Sequence, residues 1–199
     1  YLDSEEALPE FLEKLEQAAR LIIEAVGDDP DREGLLETPK RFADMMAEQF
    51  AYTAVSNEDI AREFEKTFAT PENDMVVVKD ISIFSHCEHH IALMYNMKAA
   101  VGYIPHGRVI GLSKIARIAD AVSKRFQIQE RIGTDIRDIM KMVTGSPDII
   151  VYIEGEHSCM TARGIKKPGT RTRTIASSGA FKEDSALRGE FMKLALGKE

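Results

Sequence analysis

The run from Met75 to His90, MVVVKDISIFSHCEHH, decides the fold because it joins a strand pattern to a cluster of reactive side chains. Valine and isoleucine dominate Met75 to Phe84, which predicts a β-strand that ends directly in Ser-His-Cys-Glu-His-His. A second patch, Glu-His-Ser-Cys at 156–159, comes just after another predicted strand, Asp148 to Ile153. The two patches contain both cysteines and four of the 5 histidines. The sequence therefore places its candidate reactive side chains at the ends of predicted strands.

The residue types in these patches favour a metal site. Thiolate and imidazole are preferred zinc ligands, and three protein ligands leave a fourth position for a reactive water. Cys87 and His90 have Cys-x-x-His spacing, and Cys159 is the other cysteine. The alternative is an inert cluster, since a buried cysteine often acts as a small core residue. Three further histidines remain: His86, His89 and His157. One of them closes the site as a fourth ligand, or one or two move protons beside the metal.

Composition excludes several other classes of protein. The 199 residues suit one substantial domain with a helical extension, and 44% hydrophobic residues suffice for a core. A net charge of -7 argues against a general nucleic-acid surface. No apolar run is long enough for a membrane-spanning helix, and the N-terminal stretch is acidic where a signal peptide is basic. We therefore expect a cytoplasmic protein whose two cysteines bind metal and form no disulfide.

The first third of the chain has helical periodicity. Apolar residues recur at helical spacing from Leu8 to Val26, which predicts a first helix. Thr38 is a candidate N-cap for a second helix from Pro39 to Phe50, and a third is expected from Asn57 to Phe68. We therefore assign residues 1–70 to an N-terminal helical region and residues 71–199 to a catalytic domain.

The rest of the chain alternates pairs of strands with pairs of helices. Met97 to Ile104 predicts a second strand, and the turn at Pro105-His106-Gly107 predicts a hairpin partner around Val109 to Gly111. Three further segments complete the pattern: a helical region from Lys114 to Val143 with Ser113 as N-cap and a break at Phe126 to Ile128, a strand from Arg171 to Ser177, and a helix from Ser185 to Leu196. The order predicts an α+β fold with a four-stranded antiparallel sheet.

Several polar segments near the same strand ends are ambiguous. Gly111 to Lys114 opens a helix whose free amides favour an anion, and Arg117 adds charge, but an ordinary helix with a solvated basic face has the same pattern. The basic run from Arg163 to Arg173 binds an anion or is soluble surface. Gln129 and Glu130 complement a helix dipole, or accept hydrogen bonds from a guanidine-like N–H pair such as the edge of guanine.

Taken together, five blocks of the sequence resemble one family, GTP cyclohydrolase I. The resemblance covers about Gly34 to Phe191. The blocks, in order, are Glu37 to Arg41, Ser85 to His90, Gly111 to Ile115, Gln127 to Arg131, and His157 to Gly164. Their order makes the resemblance specific.

The resemblance implies a zinc site and two catalytic histidines. The implied ligands are Cys87, His90 and Cys159, with water at the fourth position. His157 is implied to protonate the imidazole-ring nitrogen of the substrate, and His89 to assist proton transfer during ring opening. Zinc-activated water adds to C8 of the guanine ring of GTP, and C8 leaves as formate. The opened ribose rearranges and recloses to give 7,8-dihydroneopterin triphosphate, with Ser113 assisting at the ribose.

The resemblance also implies how GTP is held. Glu130 and Gln129 would bind the guanine edge, and Leu112 belongs to the same substrate site. The implied triphosphate ligands are Lys114, Arg117 and Arg163, with Arg41 a weaker candidate. Asp44 stands where some relatives carry a lysine. This difference weakens the prediction that the second helix contacts the triphosphate.

Finally, the resemblance implies a tunnelling fold and an obligate oligomer. In such a fold the antiparallel sheets of several subunits join into a barrel, and two pentamers stack into a decamer. The active site then lies between subunits, and sheet edges are completed by neighbouring copies. The product would enter folate or tetrahydrobiopterin synthesis.

Two competing functions are consistent with parts of the sequence. A zinc-stabilised module could bind a pterin or nucleotide without turnover, but it would need neither His89 nor His157. A nitrile reductase of the same fold would need a cysteine free of metal, whereas Cys87 and Cys159 are both assigned to zinc. The surplus of histidines over ligands therefore favours the hydrolase.

Overall fold

The computed structural model describes residues 7–197. Residues 1–6 and 198–199, at the outer ends of the two predicted regions, lie outside the described residues. The chain divides into two units, one up to Ala54 and one from Val55 onward. The functional boundary near residue 70 stays a prediction. Within the described residues, no helix is both long enough and apolar enough to cross a membrane.

The first unit contains two helices that pack against each other, α1 (Ala7–Ala25) and α2 (Thr38–Gln49). Both were expected from helical periodicity, and both are confirmed within a residue or two at each end. The N-cap prediction for α2 is wrong. Thr38 is the first helical residue, and the N-cap position is Glu37, which makes no side-chain capping bond.

The second unit carries the mixed α and β structure. Its elements in chain order are α3 (Asn57–Glu63), β1 (Thr67–Ala69), β2 (Val76–Cys87), β3 (Ala92–Tyr103), β4 (Arg108–Ile110), α4 (Leu112–Ser123), β5 (Phe126–Gln127), α5 (Gln129–Thr144), β6 (Ile149–His157), α6 (Ser158–Thr161), β7 (Thr172–Ser177), α7 (Ala180–Glu183) and α8 (Ser185–Leu196). The predicted order of two long strands, two helices and two strands is confirmed.

The main sheet has the order β5-β2-β3-β6-β7. Strands β2, β3, β6 and β7 pair antiparallel, as the sequence predicted. The prediction of four strands is incomplete, because the two-residue strand β5 adds a parallel fifth at the β2 edge. Periodicity could not reveal a strand this short.

Helices cover both faces of this sheet. α4 and α5 pack on β2, β6 and β7, and α5 brings Gly133 against Ile153 and Ala176. On the other face, Ile150 and Tyr152 pack with Phe181 and Phe191 from α7 and α8. Neighbouring residues of β6 alternate between these two faces, so most of the strand is buried.

The predicted hairpin between β3 and β4 is wrong. β4 pairs with β1 instead, in a separate two-stranded antiparallel sheet. The physical reason is that β3 already uses both of its hydrogen-bonding edges, on β2 and on β6. Arg108 fixes the alternative pairing by donating from Nε to Thr67 Oγ1 at 2.7 Å. The predicted third helix accordingly ends at Glu63, before β1 begins.

The predicted cap of α4 is also wrong. The helix starts at Leu112, and the N-cap is Gly111, so Ser113 lies inside the first turn and is exposed. Two short helices, α6 and α7, were not predicted, because four residues are too few for a helical period.

Asp148 links three segments at the start of β6. Its Oδ2 lies 2.7 Å from Nε2 of His106, and its Oδ1 accepts a 2.7 Å hydrogen bond from the Ala180 backbone N–H. Gly179 makes this approach possible. It has a φ of +55°, and a Cβ added there would lie 2.1 Å from Asp148 Oδ1 and 2.7 Å from the Pro147 carbonyl oxygen.

Replacing Gly179 should therefore destabilise the second unit. For Gly179→Ala we expect the free energy of unfolding to fall by about 2 to 5 kcal/mol, because a positive φ costs roughly 1 to 2 kcal/mol and an overpacked contact costs roughly 1 to 3 kcal/mol. The matched control is Gly189→Ala, an exposed site in α8 with nothing within 4 Å of the added Cβ. This control substitution should raise the free energy of unfolding by about 0.5 to 1 kcal/mol, because alanine favours a helix over glycine. Thermal midpoints at one protein concentration measure both, and equal midpoints would contradict the prediction.

Candidate functional site

The two cysteine–histidine patches meet at one end of the main sheet. Cys87 is the last residue of β2 and pairs with Ala92, while His157 is the last residue of β6 and pairs with Met94. Both partners lie at the beginning of β3, so one strand holds both patches. Cys159 follows in α6. Both patches therefore lie at or close to strand ends, as the sequence indicated.

The two thiols lie next to each other. Burial raises the pKa of the Cys159 thiol, and the neighbouring Cys87 raises it further through charge repulsion and a hydrogen bond. Arg163 acts in the opposite direction as a nearby positive charge. A thiol whose pKa is raised, as that of Cys159 is, is a poor nucleophile by itself, and a bound cation would favour its thiolate form.

His89 and His90 point to different partners. Nδ1 of His89 lies 3.7 Å from the Cys87 sulfur, whereas Nε2 of His90 lies 3.2 Å from a guanidinium nitrogen of Arg163. A guanidinium can only donate, so Nε2 of His90 accepts this bond with its lone pair. That lone pair is the one a metal would otherwise use. The structure thus brings Cys87, Cys159 and His89 together and turns His90 toward Arg163.

The donor set nevertheless suits zinc. Among residues 7–197, no three histidine, cysteine, aspartate or glutamate side chains are gathered closely enough to hold a metal ion. Two adjacent sulfur donors with imidazoles one or two residues away have the chemistry of a zinc site.

His157 has a buried partner on α5. Its Nε2 lies 2.8 Å from Oε1 of Gln129, and the Gln129 side chain is buried. Burial lowers the pKa of His157, while the carboxylate of Glu130 partly opposes this shift. The hydrogen bond therefore holds the imidazole in place, and the lowered pKa of His157 favours its neutral form. Glu130, the next residue along α5, is exposed at the helix start.

An ion pair links the first patch to α5. Both terminal nitrogens of Arg131 donate to Oε2 of Glu88, at 2.9 and 2.6 Å. The Glu88 backbone N–H also donates to the Gln127 carbonyl oxygen at 2.9 Å. Spacing along the chain does not indicate this pairing, because the two charges are 43 residues apart.

Other contacts near the second patch were missed for the same reason. The Tyr95 hydroxyl lies 2.8 Å from Thr161 Oγ1 and connects α6 to β3.

His86, in the first patch, is buried beside Cys87, and burial lowers its pKa. No catalytic role follows from its position.

The remaining predicted residues of α4 form an exposed basic turn. Leu112 is 61% exposed, and Nζ of Lys114 lies 5.7 Å from the centre of the Phe64 ring. Ser113 and Arg117 are exposed as well. Within the part of the chain that the structure describes, no hydrogen bond or ion pair joins Ser113, Lys114 or Arg117 to the cysteine–histidine patches.

Arg41 belongs to the first unit. It pairs with Glu37 one turn earlier in α2, and Lys40 pairs with Asp44 at 2.6 Å. Asp44, whose presence weakened the prediction that this helix contacts the triphosphate, thus forms an ion pair with the lysine one turn earlier. The predicted phosphate role of Arg41 stays a prediction.

Comparison with known proteins gives a consistent result. The family model described as GTP cyclohydrolase I matches residues 15–196. A protein named GTP cyclohydrolase 1 from Clostridium acetobutylicum is 59% identical over 185 residues, covering 90% of this chain and 95% of that protein. Its namesake from Clostridium beijerinckii is 57% identical over 183 residues, covering 89% and 93%.

Among solved structures, the archaeosine synthase QueF-Like in the apo form aligns with a TM-score of 0.43 and 18% identity, over 55% of this chain and 96% of that one. The family model and the relatives decide the assignment, since they cover almost the whole chain at high identity. The chain belongs to the GTP cyclohydrolase I family.

Proposed function

We propose that this protein converts GTP to 7,8-dihydroneopterin triphosphate and formate, as a cyclic amidine hydrolase. The observation that carries the proposal is the meeting of Cys87, Cys159, His89 and His157 at one end of the sheet, in a chain 54 to 59% identical to proteins named GTP cyclohydrolase 1. We further propose that the product enters folate or tetrahydrobiopterin synthesis and that the protein is cytoplasmic.

Zinc is the proposed metal, with Cys87, Cys159 and His90 as its ligands. When bound there, it supplies an activated water for attack at C8 of guanine. The two adjacent thiols support this choice, since sulfur is a preferred zinc ligand and a cation would favour the thiolate form of Cys159, whose pKa is raised. His89 is the competing third ligand, because its Nδ1 lies 3.7 Å from the Cys87 sulfur.

His157 and His89 are the proposed proton carriers. Nε2 of His157 is held by Gln129, so its other ring nitrogen can take up a proton from water and then donate it to the imidazole-ring nitrogen of the substrate. His89 is exposed beside Cys87 and can assist when the ring opens. Ser113 would assist at the ribose.

Charge complementarity supports the proposed substrate contacts. Glu130 is exposed at the start of α5, where its carboxylate can accept two hydrogen bonds from the guanine edge. The guanine contact predicted for Gln129 would compete with bonds its amide already makes, and it stays a prediction. Lys114, Arg117 and Arg163 would bind the triphosphate beside Leu112, with Arg41 as a weaker candidate.

The active site is proposed to lie between subunits of a decamer built from two pentamers. In this arrangement the sheets join into a barrel. The support from the chain is that no hydrogen bond or ion pair joins the basic α4 turn to the cysteine–histidine patches among residues 7–197, although the proposed reaction uses both. A neighbouring copy would supply the α4 residues.

A non-catalytic zinc-stabilised module for a pterin or nucleotide is the second candidate. The observation in its favour is that His89 approaches Cys87 closely enough to become a fourth ligand, which would close the site. The two functions differ in a direct measurement, because a binding module releases no formate.

The reaction itself is tested by formate release. Wild-type protein incubated with GTP should yield formate and a pterin that fluoresces after oxidation. His157→Ala should lower kcat by about 100-fold or more, because general acid–base catalysis contributes roughly 10²- to 10⁴-fold, and it should keep its metal. His106→Gln, a histidine bonded to Asp148 away from the patches, is the control and should retain turnover. Metal-loaded wild type that binds GTP without releasing formate would contradict the enzyme.

The ligand assignment is tested by metal content. Cys159→Ala and His90→Ala should each lose most of the roughly one zinc per chain expected of such a site, as measured by elemental analysis after gel filtration. His89→Ala should keep it, because His89 is assigned to proton transfer. Loss of zinc from His89→Ala together with retention in His90→Ala would exchange the two roles.

Subunit sharing is tested by complementation. Lys114→Ala and Cys159→Ala should each be inactive as pure oligomers. When the two chains are co-expressed, mixed oligomers contain some sites with wild-type residues from both subunits, so part of the activity should return. If all site residues came from one chain, every site would carry one defect and no activity would return.

A further inference from the structure

The side-chain amide of Gln129 is enclosed by the protein. Gln129 is the first residue of α5 and is 1% exposed. Its Nε2 lies 3.1 Å from the Ile153 carbonyl oxygen, 3.0 Å from the Thr172 carbonyl oxygen and 3.3 Å from Thr174 Oγ1. Its Oε1 lies 2.8 Å from Nε2 of His157. Every polar atom of the amide is therefore engaged inside the protein.

These partners allow one orientation of the amide. A backbone carbonyl can only accept a hydrogen bond, so the nitrogen of Gln129 must face Ile153 and Thr172. Turning the amide over would place its oxygen against both carbonyl oxygens in a buried position, at the full cost of unsatisfied polar groups. The acceptor oxygen of Gln129 thus faces His157.

The orientation of the amide determines which ring nitrogen of His157 carries the proton. An amide oxygen only accepts, so Nε2 of His157 must donate and must carry a hydrogen. In the neutral imidazole the lone pair then lies on Nδ1. Across residues 7–197, Nδ1 of His157 has no hydrogen-bond partner, so it is free for another molecule.

The strands that hold Gln129 are themselves fixed. Ile153 lies in β6 opposite Thr174 of β7, and Thr172 of the same strand pairs with Gly155. The amide nitrogen therefore bonds to two hydrogen-bonded strands, and the amide oxygen bonds to the residue that ends β6. Such an anchored side chain holds its partner with little freedom.

We propose that Gln129 is a positioning residue that keeps the proton of His157 on Nε2 and so makes Nδ1 the nitrogen that exchanges a proton with the substrate. The inference rests on the proposed function, in which His157 moves that proton. It assigns Gln129 to the histidine instead of to the guanine edge, which falls to Glu130. A guanine contact would require Gln129 to give up bonds that are buried and well formed.

Steady-state kinetics on the zinc-loaded enzyme separate the two roles. Gln129→Met keeps the length of the side chain without its hydrogen bonds. If Gln129 positions His157, kcat should fall by about 10- to 100-fold, the typical loss on removing such an orienting partner, with KM for GTP changed by less than about threefold. Glu130→Gln is the matched comparison, and its KM should rise by about tenfold or more, because it weakens a charged hydrogen bond. A rise of KM in Gln129→Met with kcat preserved would overturn the proposal.

A measurement on the unmutated protein keeps the proposal testable if Gln129→Met does not fold. In ¹⁵N-histidine-labelled enzyme, long-range ¹H–¹⁵N correlations distinguish the Nε2–H from the Nδ1–H tautomer, and the signal missing from His157→Gln identifies His157. The expected tautomer in mildly alkaline buffer is Nε2–H, and an Nδ1–H tautomer would overturn the proposal. This spectrum does not depend on turnover. An enzyme that shows the Nε2–H tautomer but releases no formate would contradict the proposed function and leave the orientation of His157 intact.

Discussion

The position of β3 at the centre of the sheet is the constraint on which the site depends. Its first residues pair with the end of β2 on one side and the end of β6 on the other. A shift of one residue in either register would turn a buried strand face toward the wrong side, so burial fixes both pairings. Cys87 and His157, 70 positions apart in the chain, are therefore held at one edge by packing that takes no part in the chemistry.

The charged side chains around the two patches determine which ionisation states are favoured at this edge of the sheet. The chain has a net charge of -7, yet Arg163 and Arg131 lie beside the patches and pair with His90 and Glu88. Burial and the neighbouring thiol disfavour ionisation of Cys159, and the nearby positive charge of Arg163 favours it. A bound cation would favour the thiolate form of Cys159 in the same way.

The sequence predicted the elements better than their partners. Met75 to Phe84 and Asp148 to Ile153 are long, apolar strands, and their periodicity located both patches correctly. Periodicity carries no information about pairing, so β4 was assigned to β3, although β3 had no free edge and β1 had one. Both N-cap predictions are wrong because a suitable side chain does not determine where a helix begins. The helix α2 begins at Thr38 itself, and α4 begins at Leu112, one residue before Ser113. The proton-transfer roles of His89 and His157 followed from the family resemblance, whereas the pairing of Glu88 with Arg131 required the fold.

The start of α5 explains how adjacent residues take different roles. Successive residues of a helix are about 100° apart around the axis, since a turn takes 3.6 residues. Gln129 therefore points into the sheet, where two strands and His157 occupy its amide, and Glu130 is exposed to solvent. Arg131 continues toward Glu88 of the first patch. One helical turn thus carries the hydrogen-bond partner of His157, the exposed carboxylate proposed to bind guanine and the ion pair to the first cysteine–histidine patch. All three positions depend on where the helix begins, two residues after the short strand β5 ends at Gln127.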